Sequence, residues 1–126
     1  EKSSYHETEP LLHPEHPVYG QKNYLNAVVK VSSPVAPEEL MRLLFGIERA
    51  LGRLREKEER RWGPRVIDLD IICCGSLRLS SQLVTIPHPE MHHRRFVLEP
   101  MMEIAPNWLH PLLGKTTAAL LIGLKR

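Results

Sequence analysis

The clearest pattern of apolar and polar positions along the chain is the strict alternation in "YLNAVVKV", residues 24–31. Successive side chains of a strand point to opposite faces, so this alternation predicts a strand with one core face and one partly polar face. The predicted core face contains Leu25, Ala27, Val29 and Val31, and the other face contains Tyr24, Asn26, Val28 and Lys30. A shorter alternation in residues 1–8 predicts a strand before it, and a loop rich in proline and histidine lies between the two.

A helical pattern follows in "APEELMRLLFGIERALG", residues 36–52. Pro37 suits the first helical position, and the two glutamates after it suit the positive end of the helix dipole. Gly52 suits the C-terminal end of the helix. The apolar stripe that we expect to face the core consists of Leu40, Leu43, Leu44, Ile47 and Leu51.

Beyond residue 65 the pattern predicts one strand, a hairpin and two helices. The run "VIDLDIICC", residues 66–74, is the most hydrophobic strand candidate, and residues 75–93 contain turn and hairpin signals. Helices are expected within residues 94–106 and 115–125. Strands and helices in this order predict an α+β sheet with helices on one face. A length of 126 residues fits a single domain over 1–126.

Composition narrows the class of protein. With 42% hydrophobic and 25% charged residues, the chain is ordinary for a soluble globular protein, and it has no apolar run long enough to span a membrane. No basic-then-apolar pattern of a secretory leader occurs in these residues, and the adjacent Cys73 and Cys74 lead us to expect a reducing, cytoplasmic compartment. The net charge of +2 is too small to indicate a nucleic-acid-binding protein.

Because the chain begins with Glu1 and not methionine, we expect the native start to be missing.

Two aspartates in the third strand candidate are the first indication of chemistry. Asp68 and Asp70 are two residues apart, so on a strand both emerge on one face, roughly 6.5–7 Å apart. Two carboxylates at that distance repel each other by about 2–3 kcal/mol at an effective dielectric constant near 20. A cation would offset this repulsion, and oxygen ligands without a cysteine partner favour Mg²⁺. The alternative is a solvated strand face that carries two charges.

A basic loop immediately precedes this strand. Residues 53–65 contain six basic side chains and three acidic ones, a surplus of +3. Arginine binds phosphate oxygens in a bidentate fork, and Gly63-Pro64 makes a stiff corner that places Arg65 three residues before Asp68. This combination is typical of Mg²⁺–triphosphate binding without a glycine-rich phosphate loop. The alternative is a solvated charged loop. Trp62 argues against this alternative, because a tryptophan in a charged loop usually packs over another group.

Seven histidines raise the possibility of a zinc site. The pair His13 and His16 and the group His88, His92 and His93 lie in proline-rich loops without cysteine partners, so structural zinc is the less favoured interpretation. His88 lies between Pro87 and Pro89, and this makes it the histidine that we most expect to have a defined role.

Taken together, three stretches resemble a known family. "RWGPRVIDLDII", with "YLNAVV" before it and "IPHPEMHHRRFVLEPMMEIAPNWLHP" after it, is similar to 6-hydroxymethyl-7,8-dihydropterin pyrophosphokinases of folate biosynthesis. The resemblance extends from about Ser3 to Leu121. It implies a ferredoxin-like antiparallel sheet with packed helices, and transfer of pyrophosphate from ATP to the pterin's hydroxymethyl group with release of AMP.

The resemblance also implies a role for individual residues. Asp68 and Asp70 would hold two Mg²⁺ ions. Arg55, Arg65, Arg61 and Trp62 would be catalytic, the last two on a loop that closes over the site. The residues implied to bind ATP are Glu48, Arg53, Ile71, His88 and Arg94. The residues implied to bind the pterin are Thr8, Leu11, Tyr24, Asn26 and Phe96.

The sequence departs from the family at its start. Family members begin with a strand and a helix that carry a Gly-Ser-Asn segment, and nothing similar precedes residue 1. The resemblance therefore implies that the first strand–helix unit is missing, with a monomer expected for the intact domain and a dimer as one way for this chain to compensate. A truncated, inactive paralogue that binds nucleotide or pterin only is an alternative. A ferredoxin-like RNA-binding module is another, but its aromatic strand motif is absent.

Overall fold

The structure of the chain is a computed structural model, and it describes residues 1–8, 24–52 and 67–124. The first sheet pairs strand β1 (His6–Thr8) with strand β2 (Tyr24–Asn26) in antiparallel register, with His6 opposite Asn26. Irregular pairing continues beyond it, because Ser3 N donates to Val28 O at 2.9 Å. Both strands predicted in this part of the chain are therefore confirmed, although regular pairing in the second one ends at Asn26.

The face of the second strand that enters the core was predicted wrongly. Leu25, Val29 and Val31 are 68%, 57% and 67% exposed. Val28, on the other face, packs against a core cluster formed by the C-terminal helices. The helices therefore cover the face that carries Asn26 and Val28, and the more apolar face is left on the surface of the described residues.

Helix α1 (Pro37–Ala50) begins with Pro37 at its first turn, as predicted. Only two of the five residues in its predicted apolar stripe pack against the core. Leu40 and Leu44 pack against a core cluster, whereas the other three members of the stripe lie on the surface, about half exposed: Leu43, Ile47 and Leu51. The buried positions are Met41 and Glu48, so the face that packs inward is rotated from the predicted one toward a charged residue.

The segment 67–74 belongs to neither sheet. The strand predicted over residues 66–74 is therefore wrong as a regular strand among the described residues, although the predicted alternation holds. Ile71 is buried and Leu69 is half-buried, while Asp68 and Asp70 are exposed. Among the described residues, side-chain packing and the hydrogen bonds of Leu69 N with Glu48 and of Ile72 O with His88 N contribute to holding this segment.

The C-terminal half follows the predicted order. Strands β3 (Leu79–Ser80) and β4 (Thr85–Ile86) form a small antiparallel hairpin. Helices α2 (Arg95–Ile104) and α3 (Thr117–Ile122) follow, with a 3₁₀ turn before α2. The described residues thus form an α+β arrangement with two two-stranded sheets, and they do not join into one continuous sheet. None of the helices in the described ranges has the length and apolar character that a bilayer crossing requires.

Two hydrophobic clusters form the core of the described residues. One lies between the hairpin and α1 and contains Met41, Ile71, Val84 and Ile86. The other is built on α2 and α3 and contains Met91, Val97, Leu98, Met101 and Leu120. Ile71 belongs to the first cluster and Ile72 packs against the second, so the segment 67–74 passes between them.

A polar contact ties the start of the chain to α2. Glu103 Oε1 accepts a hydrogen bond from Ser4 N at 2.8 Å, and Glu103 Oε2 contacts the Ser4 hydroxyl and the His6 ring. The pKa of Glu103 is lowered to about 2, mainly by the hydrogen bond from the backbone N–H of Ser4. The hydrogen bonds with the His6 and Ser4 side chains lower it further. The carboxylate is therefore ionised over the ordinary pH range.

The lowered pKa predicts how this contact responds to acid. A depressed carboxyl pKa contributes stability that is present above the ordinary value of 4.5 and is lost as the pH falls toward about 2. Glu103→Gln removes this contribution, so its melting temperature should lie below that of the wild type at pH 7, and the difference should be clearly smaller at pH 3 because part of the contribution is already lost there. Thermal unfolding at both pH values tests this, and an equal difference at both would contradict it.

Candidate functional site

Two exposed carboxylates mark the candidate site. Asp68 and Asp70 alternate with the half-buried Leu69 and the buried Ile71. Because Ile71 is fixed in the cluster beneath, the aspartates are held on the outer side of the segment. The structure therefore confirms the predicted one-sided arrangement of the carboxylates without the predicted strand.

Helix α1 supports this segment through a buried carboxylate. Glu48 is only 1% exposed, and its Oε2 accepts a hydrogen bond from Leu69 N at 2.6 Å. A polar side chain is costly to bury unless it is hydrogen-bonded, so this contact helps to stabilise Glu48 in the interior. Glu48, which the resemblance assigned to the ATP site, therefore touches the backbone between the two aspartates.

His88 lies beside the same segment. Its backbone N–H donates to Ile72 O at 2.7 Å, and its Nδ1 accepts from Glu90 N at 3.1 Å. With Nδ1 used as an acceptor, the neutral ring carries its proton on Nε2. Burial lowers the pKa of His88, and the charges of Asp70 and Asp68 oppose that shift. A neutral ring with an N–H donor thus lies within electrostatic reach of both aspartates.

Arg94 and Phe96 complete this side of the site. The Arg94 charge also acts on His88 and helps to lower the pKa of the ring. The Arg94 guanidinium lies 5.6 Å from the centre of the Phe96 ring, within the range of a cation–π interaction. Phe96 packs against the same cluster as Val28 and Ile72, so α2, the first sheet and the aspartate segment meet there.

A second group of predicted residues lies on the first sheet. Asn26 Nδ2 donates to Thr8 Oγ1 at 2.8 Å and to His6 O at 3.3 Å. The structure therefore brings together Thr8 and Asn26, two residues that the resemblance assigned to the pterin.

Several predicted site residues lie outside the described residues. These are Leu11 and the whole arginine loop, with Arg53, Arg55, Arg61, Trp62 and Arg65, and also the side chain of Tyr24. Their roles remain predictions.

Zinc, the less favoured interpretation of the histidines, gains no support from the described part of the chain. Residues 1–8, 24–52 and 67–124 contain no group of three His, Cys, Asp or Glu side chains arranged to hold a metal ion. His93 instead pairs with Glu90, and the centre of the His92 ring lies 4.2 Å from that of the His93 ring, with the two rings tilted by 57°.

Sequence reasoning missed the anchoring roles of Glu48 and Glu103. Both contacts join residues far apart in the chain, 21 positions for Glu48 with Leu69 and 99 for Glu103 with Ser4. A signal for the first was present, because Glu48 falls on the side of α1 that also carries the apolar Leu44 and Phe45. No local pattern indicates the second.

Comparison with known proteins decides the family. The sequence model of the 7,8-dihydro-6-hydroxymethylpterin-pyrophosphokinase family matches residues 1–106. The chain belongs to this family.

Curated relatives of this pyrophosphokinase family have consistent names. A 2-amino-4-hydroxy-6-hydroxymethyldihydropteridine pyrophosphokinase of Synechocystis is 44% identical over 101 residues, 80% of this chain and 50% of the relative. The enzyme of the same name from Aquifex aeolicus is 38% identical over 95 residues, 75% of this chain and 58% of the relative. A folic acid synthesis protein of Dictyostelium discoideum is 39% identical over 119 residues, 93% of this chain and 18% of the relative.

The chain is shorter than these relatives. It spans about half the length of the single pyrophosphokinases and less than a fifth of the longer Dictyostelium protein. Membership of the pyrophosphokinase family therefore rests on the shared part, which contains both the aspartate segment and the first sheet.

Glu48 provides the test of how the site is held together. Glu48→Ala removes the acceptor of the Leu69 N–H in a buried position, so we expect the free energy of unfolding to fall by roughly 1–3 kcal/mol. Arg42→Ala, on the exposed side of the same helix, is the control and should cost about 0.5 kcal/mol or less. Urea unfolding measures both, and equal values for the two variants would contradict a special role for Glu48.

Proposed function

We propose that this chain carries the site that transfers pyrophosphate from ATP to the hydroxymethyl group of 6-hydroxymethyl-7,8-dihydropterin, forming the pterin diphosphate and AMP. The observation that carries the proposal is the pair Asp68 and Asp70, held outward from a segment anchored by Glu48, with His88 and Arg94 beside it. The names of the curated relatives support the same reaction.

The aspartate pair fits magnesium. Mg²⁺ in phosphoryl-transfer enzymes is usually held by one or two carboxylates together with phosphate oxygens and water, so a set of three protein ligands is not required. Asp68 and Asp70 are exposed and alternate with residues that pack inward, so both carboxylates would be available to hold Mg²⁺. When bound, the metal would neutralise charge on the phosphates.

The remaining side chains around the aspartates suit an anionic ligand. The Nε2–H of neutral His88 is a hydrogen-bond donor, and Arg94 supplies a permanent positive charge. We assign both to the ATP side, with Ile71 and Glu48 shaping the pocket beneath. The arginines Arg53, Arg55 and Arg65 would bind phosphate, and Arg61 and Trp62 would close over the site.

The first sheet suits the pterin. Asn26 uses its amide nitrogen to hold Thr8 Oγ1, so its amide oxygen is the atom that can accept from a pterin N–H. The edge of the pterin would be bound by Thr8, Leu11 and Asn26, and its ring would stack on Tyr24 and Phe96. Stacking on aromatic rings suits a flat heterocycle and adds affinity beyond the buried area.

The reaction then needs positioning and charge stabilisation more than covalent chemistry. The pterin hydroxyl oxygen forms a bond to the β-phosphorus, and the bond from this phosphorus to the oxygen bridging the α-phosphate breaks. AMP leaves with that electron pair, and the hydroxyl proton passes to solvent. Arginine side chains stabilise the charge that develops on the bridging oxygen. Holding the two substrates in line supplies much of the acceleration.

We further propose that the chain is a single domain of ferredoxin-like type, completed by a further strand and helix. Support comes from the apolar side chains left on the surface of the first sheet and of α1, such as Leu25, Val29 and Ile47. The intact domain would be a monomer, and a second copy could cover the same side chains in this chain. The free thiols of Cys73 and Cys74 favour the cytoplasm.

Replacement of Asp70 tests the reaction. Asp70→Ala should reduce Mg²⁺-dependent formation of AMP from ATP and the pterin by at least about 100-fold, the scale of losing one preorganised electrostatic contact. Its far-ultraviolet circular dichroism should stay that of the wild type, because the side chain is exposed. Glu39→Ala, an exposed carboxylate on α1, is the matched control and should keep full activity. If the wild-type chain binds both substrates but forms no AMP, the binding-only alternative replaces the proposal.

A further inference from the structure

We infer that Glu103 is a positioning residue for the pterin side of the site. It holds β1, a strand of the sheet proposed to contact the edge of the pterin, against α2, the helix that carries the predicted stacking ring. The inference rests on the proposed function of the first sheet and adds a residue to which that proposal gave no role. Glu103 itself would touch no substrate, because its carboxylate is occupied by the start of the chain.

Both oxygens of Glu103 are used on the segment that leads into β1. Oε1 accepts from Ser4 N at 2.8 Å, and Oε2 accepts from Ser4 Oγ at 2.8 Å and lies 2.5 Å from His6 Nε2. One carboxylate thus contacts a backbone donor, a hydroxyl and a ring nitrogen. Three contacts constrain the orientation of this segment as well as its position. Bonds to an ionised acceptor are roughly twice as strong as neutral ones.

His6 passes this constraint on to the predicted pterin readers. While its ring contacts Glu103, its backbone carbonyl accepts from Asn26 Nδ2 at 3.3 Å. The same Asn26 nitrogen donates to Thr8 Oγ1 at 2.8 Å. His6 therefore links the two groups: its ring contacts the Glu103 carboxylate, and its backbone carbonyl binds the Asn26 amide that would contact the pterin.

The helix end of the contact matters as much as the strand end. Phe96, the predicted stacking ring, lies on α2 seven residues before Glu103. Seven residues make nearly two helical turns, about 10 Å of rise, so the two side chains project from similar sides of the helix. Glu103 therefore fixes the spacing between the pterin-reading strand and the stacking ring. A flat ligand bound between them would depend on that spacing.

The alternative is that the contact between Glu103 and Ser4 contributes only to the stability of the fold. Comparing the affinities for ATP and for the pterin distinguishes this structural role from a positioning role. A purely structural loss would weaken both substrates or neither, whereas a positioning loss would weaken the pterin and spare ATP. Glu99 offers a matched control on the same helix, one turn earlier. Its carboxylate approaches the His6 ring only at 3.9 Å and pairs with Arg95.

The experiment compares Glu103→Ala, Glu103→Gln and Glu99→Ala with the wild-type chain by calorimetry, at a temperature where all four are folded. Mg²⁺-ATP is titrated alone, and 6-hydroxymethyl-7,8-dihydropterin is titrated with Mg²⁺ and a non-hydrolysable ATP analogue present. We expect Glu103→Ala to weaken pterin binding about tenfold or more, the scale of losing an outer-shell support. Glu103→Gln should lie between it and the wild type. ATP affinity, and both affinities of Glu99→Ala, should stay within about twofold.

Pterin binding by Glu103→Ala equal to that of the wild type would overturn the inference, as would an equal loss of ATP and pterin binding. These results leave the proposed function standing, because they require a wild-type chain that binds the pterin. A wild-type chain that binds ATP but no pterin would overturn the proposed function of the first sheet, and the inference with it.

Discussion

The hydrogen bond from Leu69 N to the buried carboxylate of Glu48 is the constraint on which the candidate site depends. Residues 67–74 have no partner strand in the described part of the chain, so no ladder between described residues fixes the direction of their side chains. The Glu48 carboxyl oxygen on α1, 2.6 Å from the amide between the aspartates, constrains that direction. This hydrogen bond and the packing of Ile71 into the core both favour the outward placement of Asp68 and Asp70.

Glu48 and Glu103 act in the same way on the two sides of the site. Each is a helical carboxylate that accepts a hydrogen bond from the backbone of an extended segment next to predicted substrate-binding residues. The difference is burial, since Glu48 is enclosed and Glu103 is partly exposed. Small sheets give few ladder hydrogen bonds, and these two contacts supply part of the positional order that a larger sheet would provide. The site is therefore built from long-range side-chain to backbone contacts.

Local patterns predicted most of the elements but not how they pack. Pro37 at the start of α1 and the outward alternation of Asp68 and Asp70 could be predicted because each depends on neighbours a few residues away. The core face of the second strand could not, because alternation defines two faces without saying which one the helices cover. Val28 lies inside and Val29 outside, although the two residues are chemically identical.

The candidate site shows the same division between local and distant information. The motif around the aspartates identified the family, and it also supplied the residues that we propose carry its chemistry. The support from Glu103 was not visible in the sequence, since Glu103 contacts Ser4 across 99 positions of the chain. A single glutamate on a helix surface has no pattern that distinguishes a support from a solvated charge. Only the fold shows which distant backbone groups lie next to it.

The most direct test of the account is the affinity of the wild-type chain for ATP with and without magnesium. Calorimetric titration of ATP in the presence of Mg²⁺, and again with excess chelator, measures whether the outward aspartates form a metal-dependent nucleotide site. The account predicts binding with Mg²⁺ that is lost or greatly weakened when the metal is removed. Equal affinity under both conditions, or no binding in either, would contradict it.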